Sequence, residues 1–350
     1  MKKNDPQHVC LTRAGQERFL LSELQQFPGS IECTGLGAHL VGVSGVPAEA
    51  FSRFPLYFAC QFIPDAMQVS APSITSWAQE LLAIVSDQLD DSGTPWALHV
   101  LEPSTAQTGK VHSRARLVRA ELLALLKRKR RSLSRALVEG PSPEAVLVQA
   151  VLASPTDGFV SFASPKTRRA LGPIISRWPA GYAAVPDDPN PPSRAFKKLR
   201  EAIHAFSLPF SPEMSCVDLG ASPGGWTHVL LDQRCKVTAI DRSPLAPGLM
   251  RSRSVQFIKG DALSWAPETC VDWMVCDVIT TPPRTASLIE RWVTRQLCKR
   301  LLVTVKFKGT PDFSALGSIR SLLDSHCAAF GARQLTNNKN EVTVFGELRL

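Results

Sequence analysis

From residue 194 onward the chain alternates between short apolar runs and longer amphipathic stretches. Residues 194–206 place apolar side chains at helical spacing, 215–219 is an apolar run entering Gly220, and 226–231 opens a second helix. Apolar runs at 236–240, 255–258 and 271–276 end at or near Asp241, Asp261 and Asp277. Residues 285–300 have helical spacing, 301–307 is β-rich, 313–330 is helical, and 341–350 closes as a strand. Strands alternating with helices predict a mostly parallel sheet covered on both faces, an α/β domain.

The pattern before this point is weaker. Strands at 9–12 and 39–43 flank a helix at 15–27, giving a small α+β domain over residues 1–69. A helix at 73–89, a strand at 96–101, a helix at 113–126 and a strand at 144–152 make a second domain over 70–178. The stretch 179–192 is rich in proline, which excludes a regular helix or a central strand, so it reads as a linker. Residues 193–350 then form the third domain.

Composition narrows the class. With 350 residues, 44% apolar and 20% charged, the chain has the balance of a multidomain globular protein. No run is long and apolar enough for a transmembrane helix, and the polar start at 1–10 lacks a secretory h-region. Nine cysteines without a C-x-x-C pair argue against a disulfide framework or a zinc site and for a reducing, cytoplasmic compartment. The net charge of +9 favours a polyanionic partner.

The strongest local signal is Asp218-Leu-Gly-Ala-Ser-Pro-Gly-Gly-Trp226, which follows a strand and opens a helix. Such a turn, at the carboxyl edge of a parallel sheet, is where these folds bind ligands. Its spacing is G-x-x-x-G-G rather than the G-x-G-x-x-G of a dinucleotide site. No pyrophosphate need be cradled, which suits S-adenosylmethionine and counts against an oxidoreductase. Gly220, Ser222, Pro223, Gly224, Gly225 and Trp226 are the candidate cofactor residues of the turn. Asp241 lies 21 residues past Gly220, where an acid accepts hydrogen bonds from ribose hydroxyls. Asp261 is placed for the adenine amino group, and Asp277 lies beside the reactive methyl. The plainer alternative is a tight turn with strand-end acids capping helices.

Methyl transfer to a hydroxyl needs in-line positioning and a group that takes the hydroxyl proton. Lys198, Asp277, Lys306 and Glu341 are the candidates, two cations and two acids expected around one point. Taken singly, each also reads as a solvated helix face, a strand-end charge or an edge residue.

Here the sequence resembles a known group. The block Asp218–Trp226 with Asp277, Lys306 and Glu341 resembles the FtsJ/RrmJ class of RNA 2′-O-methyltransferases, marked by a Lys-Asp-Lys-Glu tetrad. Closer still is the RlmM family of large-subunit (23S) rRNA cytidine 2′-O-methyltransferases. The matching segments are Ser193-Arg-Ala-Phe-Lys-Lys-Leu-Arg-Glu-Ala202, Val217-Asp-Leu-Gly-Ala-Ser-Pro-Gly-Gly-Trp-Thr227, Trp273-Met-Val-Cys-Asp277, Val305-Lys-Phe-Lys308 and Glu341-Val-Thr-Val344. The resemblance implies a Rossmann-like S-adenosylmethionine-dependent methyltransferase domain with a mostly parallel seven-stranded sheet. Before it would stand a small N-terminal domain and a THUMP-like RNA-binding domain. It further implies that Lys198, Asp277, Lys306 and Glu341 form the tetrad, with Lys306 as proton acceptor. Ser222–Gly225 would line the methionine end, and Asp241 and Asp261 would hold ribose and adenine. Two departures stand out. Ala195 occupies a position where relatives carry a cofactor-contacting serine, and Ser222 replaces a cysteine.

Positive charge concentrates from Lys110 to Arg135, above all in Lys127, Arg128, Lys129, Arg130 and Arg131, read as following the helix at 113–126. Such residues neutralise phosphates, so this segment is the candidate rRNA contact, although a solvated helix face is the plainer reading. Two alternatives remain. A nucleobase N-methyltransferase would carry an (Asn/Asp)-Pro-Pro-aromatic motif, whereas Pro282-Pro283 here is displaced from Asp277 and followed by Arg284. A catalytically idle RNA-binding assembly factor would tolerate loss of Lys306. The seven histidines do not cluster, so no metal is expected, and Cys276 reads as a small buried strand residue.

Overall fold

The structure is a computed structural model that describes residues 6–89, 92–140 and 142–349. The first residues of the polar N-terminus and the last residue of the closing strand lie outside these. The chain divides into two compact units, Met1–Tyr182 and Ala183–Leu350.

The first unit runs β1 (His8–Thr12), α1 (Glu17–Leu24), β2 (Glu32–Gly37), β3 (Leu40–Ser44), β4 (Ala59–Ile63), β5 (Met67–Ser70), α2 (Ile74–Gln88), β6 (Trp96–Leu101), α3 (Thr105–Thr108), α4 (Ser113–Lys129), α5 (Arg131–Ala136), β7 (Val146–Leu152), β8 (Asp157–Ala163) and α6 (Pro165–Leu171). It holds two four-stranded sheets, ordered β2-β3-β1-β4 and β5-β8-β7-β6. In the second sheet only β6 and β7 are parallel, and the other neighbours are antiparallel. Trp77, Leu81 and Val85 of α2 and Val118, Leu122 and Leu126 of α4 recur at four-residue spacing and are buried together over this sheet. Ser73 fixes where α2 starts, its hydroxyl accepting from the Ser76 N–H at 3.1 Å. The strands β2, β4, β5 and β8 were not expected from the sequence.

The second unit runs α7 (Phe196–Phe206), β9 (Ser215–Leu219), α8 (Gly225–Asp232), β10 (Lys236–Asp241), α9 (Pro247–Met250), β11 (Val255–Lys259), β12 (Val271–Cys276), α10 (Pro282–Thr294), β13 (Cys298–Lys306), α11 (Phe313–His326), β14 (Cys327–Arg333) and β15 (Glu341–Leu348). Its seven strands are ordered β11-β10-β9-β12-β13-β15-β14. The first five are mutually parallel, and β15 enters antiparallel between β13 and β14. From β9 the chain steps outward to β10 and β11, then returns to the other side of β9 as β12. The carboxyl ends of β9 and β12 therefore flank the topological switch point, where open α/β sheets leave a crevice. One face is covered by α7 and α8 through Phe196, Leu199, Phe206, Trp226 and Leu230, packed on Trp273, Val275, Leu302 and Phe345 of the sheet. Each such side chain contributes about 2 kcal/mol by leaving water.

Three expectations need correction. The helix read over 285–300 ends at Thr294, because Gln296 takes a left-handed φ of 51° and Cys298 already belongs to β13. The helix read over 313–330 ends at His326, where Cys327 turns extended to pair with β15. The basic run does not follow a helix ending at 126. Lys127, Arg128 and Lys129 form the last turn of α4, and Arg131 begins α5.

Candidate active site

The turn between β9 and α8 forms one wall of the crevice. Gly220 (φ 76°) and Gly224 (φ 114°) take backbone conformations that side chains resist. A Cβ on Gly224 would run into Leu249, and one on Gly220 into Val278. The turn is tied down from both sides: Ser222 N–H donates to Asp241 Oδ2 at 3.0 Å, Ser222 Oγ donates to the Pro244 carbonyl at 2.9 Å, and Trp226 Nε1 donates to the Ala195 carbonyl at 3.0 Å.

A cavity of about 370 Å³ opens against this turn, lined among others by Gly220, Ser222, Pro223, Gly225, Trp226, Asp241, Asp277 and Lys306. A neighbouring cavity of about 230 Å³ is lined by Gly220, Asp241 and Asp261, with Arg242 and Arg284. Asp261 meets Arg242 at 3.3 Å. Gly224 lines neither cavity and serves the turn through its backbone. Three acids, Asp218, Asp241 and Asp277, are among the residues lining the larger cavity. Asp218 is fully buried and its Oδ2 accepts from Thr227 Oγ1 at 2.6 Å. Burial above all pushes its carboxyl up to about 7, despite the hydrogen bond from Thr227.

At the end of the crevice the four candidate catalytic residues meet. Lys198 Nζ lies 2.6 Å from Glu341 Oε1 and 3.2 Å from Asp277 Oδ2. Lys306 Nζ lies 2.9 Å from Asp277 Oδ1 and donates to the Asp277 carbonyl at 2.6 Å. Their side chains are only 7–18% exposed. Asp277 thus bridges two ammonium groups. Strand register accounts for much of this. Lys306 stands opposite Glu341 in the β13–β15 pair, with Thr304 opposite Thr343 two residues away on the same face. α7 brings Lys198 in from the layer above, and Lys197 instead pairs with Asp187 at 2.5 Å. The two lysines are not equivalent. The contacts of Lys198 to Asp277 and Glu341 occupy its donors, and it is not among the residues lining these two cavities. Lys306 has a third donor direction left and lines the crevice.

Four supporting residues escaped the sequence reading. Thr304 Oγ1 donates to Asp277 Oδ1 at 2.6 Å. Asn338 Nδ2 donates to Glu341 Oε1 at 3.3 Å, while its Oδ1 accepts from Leu335 N–H and Thr343 Oγ1. Glu201, one turn after Lys198 and buried, accepts from Thr336 N–H, Asn337 N–H and Asn337 Nδ2 at 2.5–2.8 Å, pinning the loop that carries Asn338. Ser193 lines the crevice with a buried hydroxyl that has no partner among the described residues. The only signal in the sequence was proximity: Glu201 to Lys198, Asn338 to Glu341, and Ser193 to Ala195. Pro282 and Pro283 lie in the first turn of α10, away from the strand end. Burial pushes the Cys276 thiol up to about 12, so it stays protonated. Among the described residues no group of His, Cys, Asp or Glu could hold a metal ion.

Comparison with known proteins gives this arrangement a class. Residues 191–312 match the FtsJ-like methyltransferase family. The second unit has the FtsJ-like methyltransferase fold. More particularly, the chain is similar to proteins named ribosomal RNA large subunit methyltransferase M. It is 36% identical to that of Azotobacter vinelandii over 197 residues, 53% of this chain and 54% of that protein. It is 42% identical to that of Pseudomonas putida strain W619 over 165 residues, 45% of each chain. The chain thus spans about half the length of the curated relatives it matches. A solved structure of Burkholderia thailandensis 1,6-didemethyltoxoflavin-N1-methyltransferase aligns at 16% identity and a TM-score of 0.35. That alignment covers 45% of this chain and 80% of that one.

Proposed function

We propose that this protein is an S-adenosylmethionine-dependent ribose 2′-O-methyltransferase acting on a cytidine of large-subunit (23S) rRNA, with Lys306 as proton acceptor. One observation carries the reading: Asp277 bridges Lys198 and Lys306, with Glu341 behind Lys198, at the mouth of a crevice on the sheet's switch point.

The crevice suits the methyl donor. Its acidic lining favours a sulfonium cation, the backbone at Gly220 lines it, and Ser193 offers an unpartnered buried hydroxyl. The turn from Ser222 to Trp226 would hold the methionine end, Asp241 the ribose and Asp261 the adenine. When bound, S-adenosylmethionine supplies an electrophilic methyl group. Lys306 takes the hydroxyl proton as the neutral amine, with its lone pair in the direction that Asp277 leaves open toward the crevice, and becomes the ammonium that Asp277 stabilises. Asp277 orients Lys306, and Lys198 with Glu341 fixes Asp277. Most of the acceleration then comes from positioning, with the proton acceptor adding about 10² to 10⁴. Residues 70–178 would act as a THUMP-like RNA-binding domain after a small domain at 1–69, with Lys127, Arg128, Lys129, Arg130 and Arg131 on the phosphates. The nine cysteines, all free thiols, fit the cytoplasm, where rRNA is modified.

The test is radiolabelled methyl transfer to unmodified large-subunit rRNA, with nuclease mapping by mass spectrometry. Wild type should produce 2′-O-methylcytidine. Lys306→Ala should lower the rate at least about 100-fold with unchanged affinity for S-adenosylmethionine. A methylated nucleobase in place of ribose would overturn the assignment.

A further inference from the structure

The first unit contains a cavity of about 280 Å³ that the proposed reaction does not use. Its walls include His99 on β6, Arg119 on α4, Glu139, and Arg177 with Trp178 beyond α6. His99 is only 7% exposed. Its imidazole hydrogen-bonds to the backbone of Arg177, and its Nδ1 is buried with no partner among the described residues. Burial above all, then the charges of Arg168 and Arg119, drive its pKa down to about 4. The ring is therefore neutral near pH 7. A carbonyl only accepts, so the proton sits on the nitrogen facing Arg177, and Nδ1 is a bare lone pair. Native proteins rarely leave a buried acceptor in this state unless a ligand or water supplies the donor.

The rest of the wall narrows what that ligand is. Arg119 is already held by Glu139 through two contacts of 2.9 and 3.0 Å. Arg177 makes no ion pair among the described residues, so it remains available to an anion. Trp178 supplies an aromatic surface. A group that donates an N–H, carries a negative charge and presents a flat face satisfies all three, and a nucleotide has these parts. The helix that supplies Arg119 also ends in the exposed Lys127, Arg128 and Lys129. These lie about 12 Å further along its axis at 1.5 Å per residue, so one helix joins the cavity to a phosphate-binding surface.

We propose that this cavity is a pocket for one unpaired nucleotide of RNA. The base stacks on Trp178 and donates an N–H to His99 Nδ1, and the phosphate meets Arg177. For the identity of the polymer the proposal rests on the reading of the chain as an RNA enzyme.

The full chain is titrated with a fluorescently labelled single-stranded RNA pentamer, and with the same pentamer made abasic at its centre. Wild type should prefer the intact pentamer by about tenfold, the scale of one base stacked on an aromatic side chain. His99→Phe should reduce that preference, and Arg177→Gln should weaken binding of both pentamers. A 4-thiouridine pentamer should photo-crosslink to the peptide containing Trp178. Should His99→Phe fail to fold, the partly exposed Arg177→Gln decides. Undiminished affinity for both pentamers in Arg177→Gln, or crosslinks confined to Lys127–Arg131, would overturn the pocket. The same proteins assayed for methyl transfer separate the two readings. Pocket-dependent binding without rRNA methylation by wild type keeps the pocket and removes the proposed reaction. Methylation with pocket-independent binding does the reverse.

Discussion

At the scale of residues, the site is organised by what each charged group has left to give. Lys198 is consumed by Asp277 and Glu341, whereas Lys306 keeps a donor direction toward the crevice. Glu201 never reaches the crevice but holds the loop beneath Glu341 through three N–H donors. Replacing it by Ala leaves two backbone N–H groups in need of partners. Glu201→Ala should therefore lower stability by about 2–4 kcal/mol in urea denaturation. An unchanged midpoint would mean that the loop is held by other contacts. Asp218 makes a prediction with a definite sign. Its folded carboxyl titrates near 7, above the ordinary aspartate value. Between those two values the folded chain holds a proton that the unfolded chain has released. This contribution is fully present below the unfolded value and is lost as pH rises through about 7. Asp218→Asn should flatten the dependence of unfolding free energy on pH between about 4 and 7 relative to wild type. Parallel profiles for the two proteins would sink the assignment. The lysines and acids of the tetrad were legible through the matched motif segments, since each taken singly also reads as an ordinary helix-face, strand-end or edge charge. Thr304, Asn338 and Glu201 were not, since a threonine in a strand, an asparagine in a loop and a glutamate on a helix are ordinary there.

At the scale of elements, register and helix length decide the geometry. The pairing of Lys306 with Glu341 spans 35 residues of sequence and exists only because β15 runs antiparallel beside β13. Apolar runs identified β9, β10 and β12 closely, since strands buried in a parallel sheet must be apolar. The start of β14, residues 327–330, looked like a continuation of α11 because its small apolar residues also suit a helix. Hydrogen bonding to β15 overrides that local preference. Carrying α4 through Lys129 sets the basic residues on a regular helix end, where cations also offset the helix dipole. That plainer role predicts no effect on RNA. The proposed role predicts that reversing Lys127, Arg128 and Arg131 to Glu weakens rRNA binding and lowers its salt slope by up to about 3. Affinity for S-adenosylmethionine should not change. Filter binding across a salt series distinguishes the two.

At the scale of the whole molecule, the division after Tyr182 separates two sets of buried residues. Every member of the core around Trp226, Trp273 and Phe345 comes from residues beyond 183. A fragment of residues 183–350 should therefore melt cooperatively and bind S-adenosylmethionine with near wild-type affinity by calorimetry. It should lose at least about tenfold in affinity for rRNA if the first unit supplies phosphate contacts. Full retention of rRNA binding would place recognition in the second unit instead. The division falls inside the proline-rich stretch, where prolines had suggested a linker. Among the described residues no helix is long and apolar enough to cross a membrane.

The sequence by itself determined the α/β alternation after residue 193, the glycine turn and the acids at the ends of the parallel strands. Each of these is a local matter: hydrophobic periodicity, backbone freedom at glycine, and charge where a buried strand ends. Tertiary structure alone decided that β15 lies between β13 and β14, that Asp277 bridges both lysines, and that His99 is left with an open nitrogen in a cavity. Those outcomes depend on which distant segments pack together. Packing is settled by the fit of whole surfaces, information that no single stretch of residues carries.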